Sequence, residues 1–399
     1  MRKPVFTIFY QYNPWLSSIG GIQTLISSFI KYAPEAFDLR LVGVGDRSTP
    51  NIGVWRETEF QGKVLQFLPL LAIENDDVRK LIPTTVKYAA ALTGRCFASD
   101  FMHFHRLEPT VNTRSWRGDK TLFIHNDIRT QLLSKGSKQS MLWRHFPKLY
   151  FAIERSLIGQ FDQVLSCNSE STKLYQELYP AFSGRFSYYR NSVDNETFYP
   201  LPVAECDDHR QAFAKELGLS AETRFMIFAG RLHPQKDPLL LVRSLAALKE
   251  PKIHLLIAGQ GELAEAVRVE AAQLGVSKQV TLLGAVKPPK LAELHRLSSL
   301  CVLTSAYEGL PLVVLEALAC GIPIVTTRAG DTPNVLTEQS GLVCEERTPR
   351  SVAEALRKVL NNPDYFSPQS CIQAAMPYGA KHVLHGIYDA MLQRWRNDS

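Results

Sequence analysis

Phe225-Met226-Ile227-Phe228-Ala229-Gly230-Arg231-Leu232-His233-Pro234-Gln235-Lys236 reads as a strand that hands over, through a glycine, to a charged loop. A helical apolar pattern at residues 239–248 follows, and then a second short apolar run at 253–258. Strand, helix and strand in this order read as a parallel sheet covered by helices. The same alternation continues outward, with strand candidates at 280–283, 301–304 and 324–327 and helical patterns at 263–274 and 311–319. An earlier series runs through residues 5–11, 39–44, 64–68, 101–105, 121–125 and 164–167. Between its first two members Ile22, Leu25, Ile26, Phe29 and Ile30 form an apolar stripe at helical spacing. Residues 192–201, with their Asn, Asp and Pro content, separate the two series.

The 399 residues exceed the size at which one core usually keeps growing, and 45% are hydrophobic, so each half can bury its own core. The expectation is an α/β fold of two Rossmann-like, doubly wound domains facing a central cleft. Ligands of such sheets bind beyond the carboxyl ends of the strands. A formal charge of +6 is too mild to argue for nucleic acid but suits anionic substrates. The seven cysteines are scattered and never spaced C-x-x-C, which fits a reducing compartment and speaks against disulfides or a zinc site. The opening MRKPVFTIFYQYNPW reads as a first buried strand, because its apolar run is too brief for a secretory signal. Pro311, Glu316 and Pro323 interrupt the most apolar stretch, so it is no spanning helix. A cytoplasmic chain is expected.

Arg231 and Lys236 stand five positions apart at a strand's carboxyl end. An arginine fork takes two phosphate oxygens, a lysine adds a compact charge, and both stabilise a departing diphosphate. The alternative is a solvated loop with surface charges. After the run at 301–304 comes Tyr307-Glu308-Gly309-Leu310-Pro311, and then Glu316 inside an otherwise apolar helical stretch. A buried carboxylate needs partners, and a pair of ribose hydroxyls would supply them. Glu308 precedes the helix and also reads as a simple helix-entry carboxylate. Eight helical positions rise about 12 Å, beyond the roughly 5 to 9.5 Å of a glycosidase carboxyl pair. Two ends of one extended ligand fit that spacing better.

In the first half, Ser17-Ser18-Ile19-Gly20-Gly21 joins strand to helix. Glycines there let backbone N–H groups approach a phosphate at the helix N-terminus, although a tight turn has the same pattern. Gly259-Gln260-Gly261 lacks the third glycine of a dinucleotide fingerprint. His103 and His105 flank a strand end without a third metal ligand nearby. Residues 129–148 carry Arg129, Lys135, Lys138, Arg144 and Lys148 beside Met141, Leu142, Trp143 and Phe146, with no acidic residue. That pattern fits first an amphipathic helix whose apolar face packs on the core, and a basic face of this kind also suits peripheral contact with anionic membrane.

In order and spacing, the glycine pair, the R-x4-K loop and the E-x7-E element resemble the family-4 retaining glycosyltransferases of the GT-B fold. Asn191-Ser192-Val193-Asp194 before Phe198-Tyr199-Pro200, Leu283-Gly284 and Ser340-Gly341-Leu342-Val343 add to the likeness. The resemblance implies a hexosyl-type transferase that moves a sugar from a nucleoside-diphosphate sugar to an acceptor hydroxyl, in polysaccharide, glycolipid or glycoconjugate synthesis. It implies that Arg231 and Lys236 hold the diphosphate, Glu316 the ribose hydroxyls and Glu308 the transferred sugar. Gly20 and Gly21 would offer N–H groups to the phosphates, and His125, in Phe123-Ile124-His125-Asn126-Asp127, matches a histidine near the donor sugar. It further implies retention, no cofactor beyond the donor, no catalytic metal, and a glycan or lipid-linked acceptor. The domains expected on this basis are 1–195 on the acceptor side, 196–378 binding the nucleotide sugar, and a closing helix at 379–399 that returns to the first domain. Asn191-Ser192 stands where the family often has Asn-Gly, which leaves any role for Asn191 open. A nucleotide-sugar epimerase of the same fold, or a non-catalytic binding subunit, are the rival readings.

Overall fold

The computed structural model describes residues 2–15, 20–73, 83–125 and 147–398. The chain divides into two compact units, Met1–Arg190 with Lys381–Ser399, and Asn191–Ala380.

The strands of the first unit are β1 (Val5–Phe9), β2 (Asp38–Gly45), β3 (Arg56–Phe60), β4 (Lys63–Ala72), β5 (Phe101–Phe104), β6 (Asp119–Ile124), β7 (Gln163–Ser166) and β8 (Phe186–Tyr188). They lie in the order β3-β4-β2-β1-β5-β6-β7-β8, and only β3 and β4 pair antiparallel. Helices α1 (Gly21–Lys31), α2 (Thr84–Ala91), α3 (Pro147–Leu157) and α4 (Ser169–Leu178) belong to this unit. The second unit has β9 (Arg224–Ala229), β10 (Ile253–Ala258), β11 (Val280–Gly284), β12 (Ser298–Leu303), β13 (Ile324–Thr326) and β14 (Gly341–Val343). All are parallel, in the order β11-β10-β9-β12-β13-β14. Its helices are α5 (Val203–Glu216), α6 (Pro238–Leu248), α7 (Ala264–Gln273), α8 (Pro288–Leu297), α9 (Leu312–Ala319), α10 (Thr332–Val335), α11 (Pro349–Leu360) and α12 (Pro368–Ala375). In sequence rank this is 3-2-1-4-5-6, the doubly wound Rossmann order.

The apolar runs became strands because both sheet faces are covered: every residue of β10, Ile-His-Leu-Leu-Ile-Ala, is buried. Three strands carry no such run and went unread. β3 is Arg-Glu-Thr-Glu-Phe at the sheet edge, β8 buries only Phe186, and β14 has three residues. The last helix, α13 (Ala380–Asp398), is held within the first unit, where the Tyr388 hydroxyl donates to the Phe29 carbonyl at 2.6 Å. Arg394 also pairs with Asp119 at 2.6 Å. The unit boundaries lie at 190/191 and 380/381 rather than at 195/196 and 378/379. The shift has a local cause: Val193 N donates to Tyr378 O, and Ala380 N donates to Val193 O, each at 2.8 Å, which keeps both segments with the second unit. Among the described residues no helix is long and apolar enough to cross a membrane. Of the basic segment, residues 129–146 lie outside the described residues. Within α3, Leu149 is exposed and Tyr150 buried.

Buried histidines set an acid limit on both units. His103 packs against Phe6 and Phe123 at 4.4 and 4.9 Å between ring centres, and burial pushes its pKa down to about 3. His295, in α8, is fully buried, neither ring nitrogen has a hydrogen-bond partner among the described residues, and burial pushes it likewise to about 3. A depressed histidine leaves stability intact above the unfolded pKa near 6.5 and removes it as pH falls towards the folded value. Each should subtract about 1.4 kcal/mol per pH unit over that window. Urea midpoints at pH 7, 5 and 4 are expected to fall steeply in the wild type and less steeply in His295→Leu. Parallel pH dependence in both proteins would show that His295 contributes nothing to the acid limb.

Candidate functional site

In the second unit β9 and β12 are neighbours, and there the winding of the sheet reverses. Open α/β sheets place their ligands at that point, beyond the strand carboxyl ends. β9 leads into residues 230–237, and β12 leads into residues 304–311 ahead of α9. Arg231, Lys236, Glu308 and Glu316 therefore all issue from the two strands flanking the reversal.

The two loops are joined to each other. Lys236 Nζ donates to Glu308 Oε1 at 2.5 Å, and the Glu308 side chain is only 6% exposed. Ala306 N donates to Gln235 O at 2.8 Å, and Gln235 Nε2 donates to Tyr307 O at 3.0 Å. Arg231 is exposed, and among the described residues its guanidinium has no hydrogen-bonding or ionic partner. One cation is thus engaged by a carboxylate while the other is open to an anion. Asn191 Nδ2 donates to Leu310 O at 2.6 Å, which anchors the approach to α9. The pairs Lys236 with Glu308 and Asn191 with Leu310 span 72 and 119 positions, beyond the reach of spacing arguments.

α9 begins at Leu312, so Glu308 lies in the loop before it. The expected 12 Å helical rise between the two glutamates therefore does not apply, since half of the interval is not helical. Every residue of α9 is buried, including Glu316. No hydrogen-bond partner for its carboxyl exists among the described residues, and burial pushes its pKa up to about 8. The Cys301 thiol is raised by burial and then by Glu316, and is lowered by Lys236, which places both groups within electrostatic reach of one point on β12.

Gly259 and Gly261 serve this site differently from a dinucleotide fingerprint. A Cβ on Gly259 would lie 1.9 Å from the Gly230 carbonyl oxygen, and one on Gly261 would lie 2.3 Å from that of Leu232. Gly230 N donates to Ala258 O at 2.9 Å and Leu232 N to Gln260 O at 2.8 Å, so the loop carrying Arg231 lies directly on this turn. Gly259→Ala is expected to destabilise the second unit by about 2 kcal/mol and to shift the Arg231 loop. Chemical unfolding measures it, and an unchanged midpoint would show that the loop yields freely.

In the first unit, Gly20 is the N-cap of α1 in extended conformation, and the first turn carries no acidic residue. Among the described residues no side chain caps this end, and helix N-terminal N–H groups and the dipole end suit an anion. Gly21 is the first helical residue, whereas Ser17, Ser18 and Ile19 lie outside the described residues. His125 follows β6. Its Nε2 lies 3.0 Å from His105 Nδ1 and its Nδ1 lies 3.3 Å from the Tyr189 hydroxyl. Burial, and after it the Arg106 charge, push His125 down to about 3, so it is a neutral imidazole at pH 7. His105 stacks on Phe123 at 4.7 Å. Among the described residues no group of three or more His, Cys, Asp or Glu side chains could hold a metal.

The sequence model of the family described as glycosyl transferases group 1 matches residues 209–376. A D-inositol 3-phosphate glycosyltransferase of Corynebacterium glutamicum is 27% identical over 220 residues, covering 53% of this chain and 52% of that protein. The chain spans about half the length of the curated relatives it matches. Among solved structures, sucrose-phosphate synthase from Thermosynechococcus elongatus superposes with a TM-score of 0.78 at 17% identity, over 99% of this chain and 100% of the other. HepE from Anabaena, solved with UDP and glucose, superposes with a TM-score of 0.72 at 14% identity, over 98% and 99% of the two chains. With two parallel α/β units and these likenesses the chain has the GT-B fold, and residues 209–376 match the domain described as glycosyl transferases group 1.

Proposed function

We propose that this protein transfers a glycosyl unit from a nucleoside-diphosphate sugar to an acceptor hydroxyl, with retention and without a catalytic metal, as a family-4 enzyme. The observation that carries the reading is the junction of the loops after β9 and β12 at the reversal of a Rossmann sheet, where Lys236 pairs with Glu308 and Arg231, in the same loop as Lys236, is exposed. Arg231 and Lys236 bind the diphosphate, and Lys236 exchanges its Glu308 contact for phosphate oxygens. Charge on the leaving diphosphate grows in the transition state, so these cations bind that state better than the ground state. Glu308, released from Lys236, accepts hydrogen bonds from hydroxyls of the transferred sugar and orients it. Glu316 accepts from the ribose hydroxyls. From the first unit, the N–H groups at Gly20 and Gly21 are assigned to phosphate and His125 to the donor sugar. No protein nucleophile is assigned.

The acceptor is a glycan or a lipid-linked saccharide, within polysaccharide, glycolipid or glycoconjugate synthesis. The location proposed is the cytoplasm, with residues 129–148 in peripheral contact with anionic membrane. A thermal-shift panel of UDP, GDP and ADP identifies the base, since a ligand at 100 times its Kd adds about 2.7 kcal/mol of apparent stability. Transfer is then read with the matching sugar nucleotide, using lipid-linked saccharides and D-inositol 3-phosphate, for which the relatives are named, as acceptors. NMR of the product gives the anomeric configuration. Stabilisation by no nucleoside diphosphate, or an epimerised donor without any transfer, would overturn the proposal.

A further inference from the structure

Three consecutive residues of the Lys236 loop are held from outside it. Ala306 N donates to Gln235 O at 2.8 Å, and Thr304 Oγ1 donates to Lys236 O at 3.0 Å and to Asp237 O at 2.9 Å. Asp237 has left-handed backbone angles, φ 45° and ψ 61°, which a residue other than glycine seldom adopts unless its surroundings impose them. One Asp237 carboxylate oxygen caps α6 by accepting from Leu240 N at 3.1 Å. The other is paired with the Arg347 guanidinium, whose Nε also donates to the Thr304 carbonyl at 3.4 Å. Arg347 stands between β14 and α11, 110 positions beyond Asp237.

We propose that Arg347, acting through Asp237, is a positioning residue for Lys236. This rests on the donor-site reading given above. Lysine is a point charge on a flexible four-carbon stem, so where its ammonium can reach depends on how firmly its Cα is placed. Thr304 and Ala306 hold that backbone on one side. Arg347 holds the next residue in its left-handed conformation and grips the Thr304 carbonyl as well, so the loop after β9, the loop after β12 and the segment before α11 meet in one side chain. The ion pair is partly exposed, with side-chain exposures of 43% and 26%. Its contribution to stability is accordingly small, and its contribution to geometry is the one that matters. An Arg fork can bridge Asp237 and the Thr304 carbonyl together, which a lysine cannot do.

The test is a set of thermodynamic cycles read by calorimetry with the nucleoside diphosphate that binds, alongside melting temperatures. Arg347→Ala is expected to weaken nucleotide binding about tenfold in an otherwise wild-type chain and less than about twofold in a Lys236→Ala background, because its effect runs through that lysine. In an Arg231→Ala background the full loss should persist. Asp237→Asn keeps a cap acceptor and tolerates the left-handed conformation while removing the charge partner. It should reproduce the loss, and combined with Arg347→Ala it should lose no more than either change alone. Arg347→Lys is expected to recover part of the affinity. Should Arg347→Ala fold poorly, Asp237→Asn with and without Lys236→Ala gives the same cycle. Weakened binding by Lys236→Ala beside wild-type binding by Arg347→Ala would overturn the positioning role alone. Full additivity of the Lys236 and Arg347 changes would do the same. Unchanged binding by Lys236→Ala would overturn the donor-site reading and this inference with it.

Discussion

Lys236→Ala is expected to lower kcat for glycosyl transfer about a hundredfold to a thousandfold, with a smaller loss of donor affinity, because the ammonium meets more negative charge in the transition state than in the bound donor. A second effect has a separate origin. Glu308 is 6% exposed in its side chain and Lys236 is its ionic partner at 2.5 Å. Removing the cation leaves a buried carboxylate whose one remaining hydrogen-bond partner among the described residues is the Gln235 amide, at 3.5 Å. Breaking a buried pair from one side costs about 3 kcal/mol, so the variant should also melt earlier. Lys236→Ala combined with Glu308→Gln separates the two effects, since a neutral amide needs no cation. The double variant should regain most of the melting temperature and none of the turnover. Steady-state kinetics with calorimetric melting reads both. If Glu308→Gln restored turnover along with stability, the loss in the single variant would be a folding defect, and Lys236 would have no part in leaving-group departure.

The sequence showed those parts of the fold that depend on neighbours along the chain. Phe225, Ile253 and Cys301 begin or lie in runs apolar enough to be strands buried on both faces, and the structure has strands in all three places. Arg231, Lys236 and Glu308 could be assigned to strand ends because loops of open α/β sheets gather there. The pairing of Lys236 with Glu308 could not be read, since it depends on β9 and β12 becoming neighbours while β10 and β11 go to the other side. For the same reason Arg347 carried no sequence signal, and Asn191, noticed within a family-like segment, could be given no role: each acts on a residue more than 100 positions away, through contacts that only the strand order creates. Gly261 was visible as a glycine, but its purpose was not. Its reason is the Leu232 carbonyl 2.3 Å from where a Cβ would be, and that is a fact of packing between two loops. β3, an edge strand with Arg56, Glu57 and Glu59 among its five residues, offers no apolar run from which a strand could be read.

Glu316 should make both stability and nucleotide binding depend on pH, in opposite directions. Its folded pKa is raised by burial from 4.5 to about 8. A raised carboxyl contributes stability that is fully present below pH 4.5 and is lost as pH rises through 8, at about 1.4 kcal/mol per unit between the two values. Glu316→Gln has the same shape and no charge to bury. Wild type and variant should therefore melt alike near pH 5, with the variant the more stable at pH 8.5. Binding has the reverse sign. If ribose hydroxyls donate to the carboxylate, the nucleotide must displace a proton, and affinity should climb as pH rises from 6 to 8, by at most about tenfold per unit. Terminal phosphates titrate near pH 6 as well, at about that value, so the informative quantity is the difference between wild type and Glu316→Gln. Calorimetry in two buffers of unlike ionisation enthalpy should find a proton released by the wild type that the variant does not release, and weaker binding by the variant at pH 8. A protein stabilised by Glu316→Gln at alkaline pH that nevertheless binds the nucleotide as tightly as before would show a buried carboxyl whose charge answers to no ribose, and the assignment of Glu316 would fall.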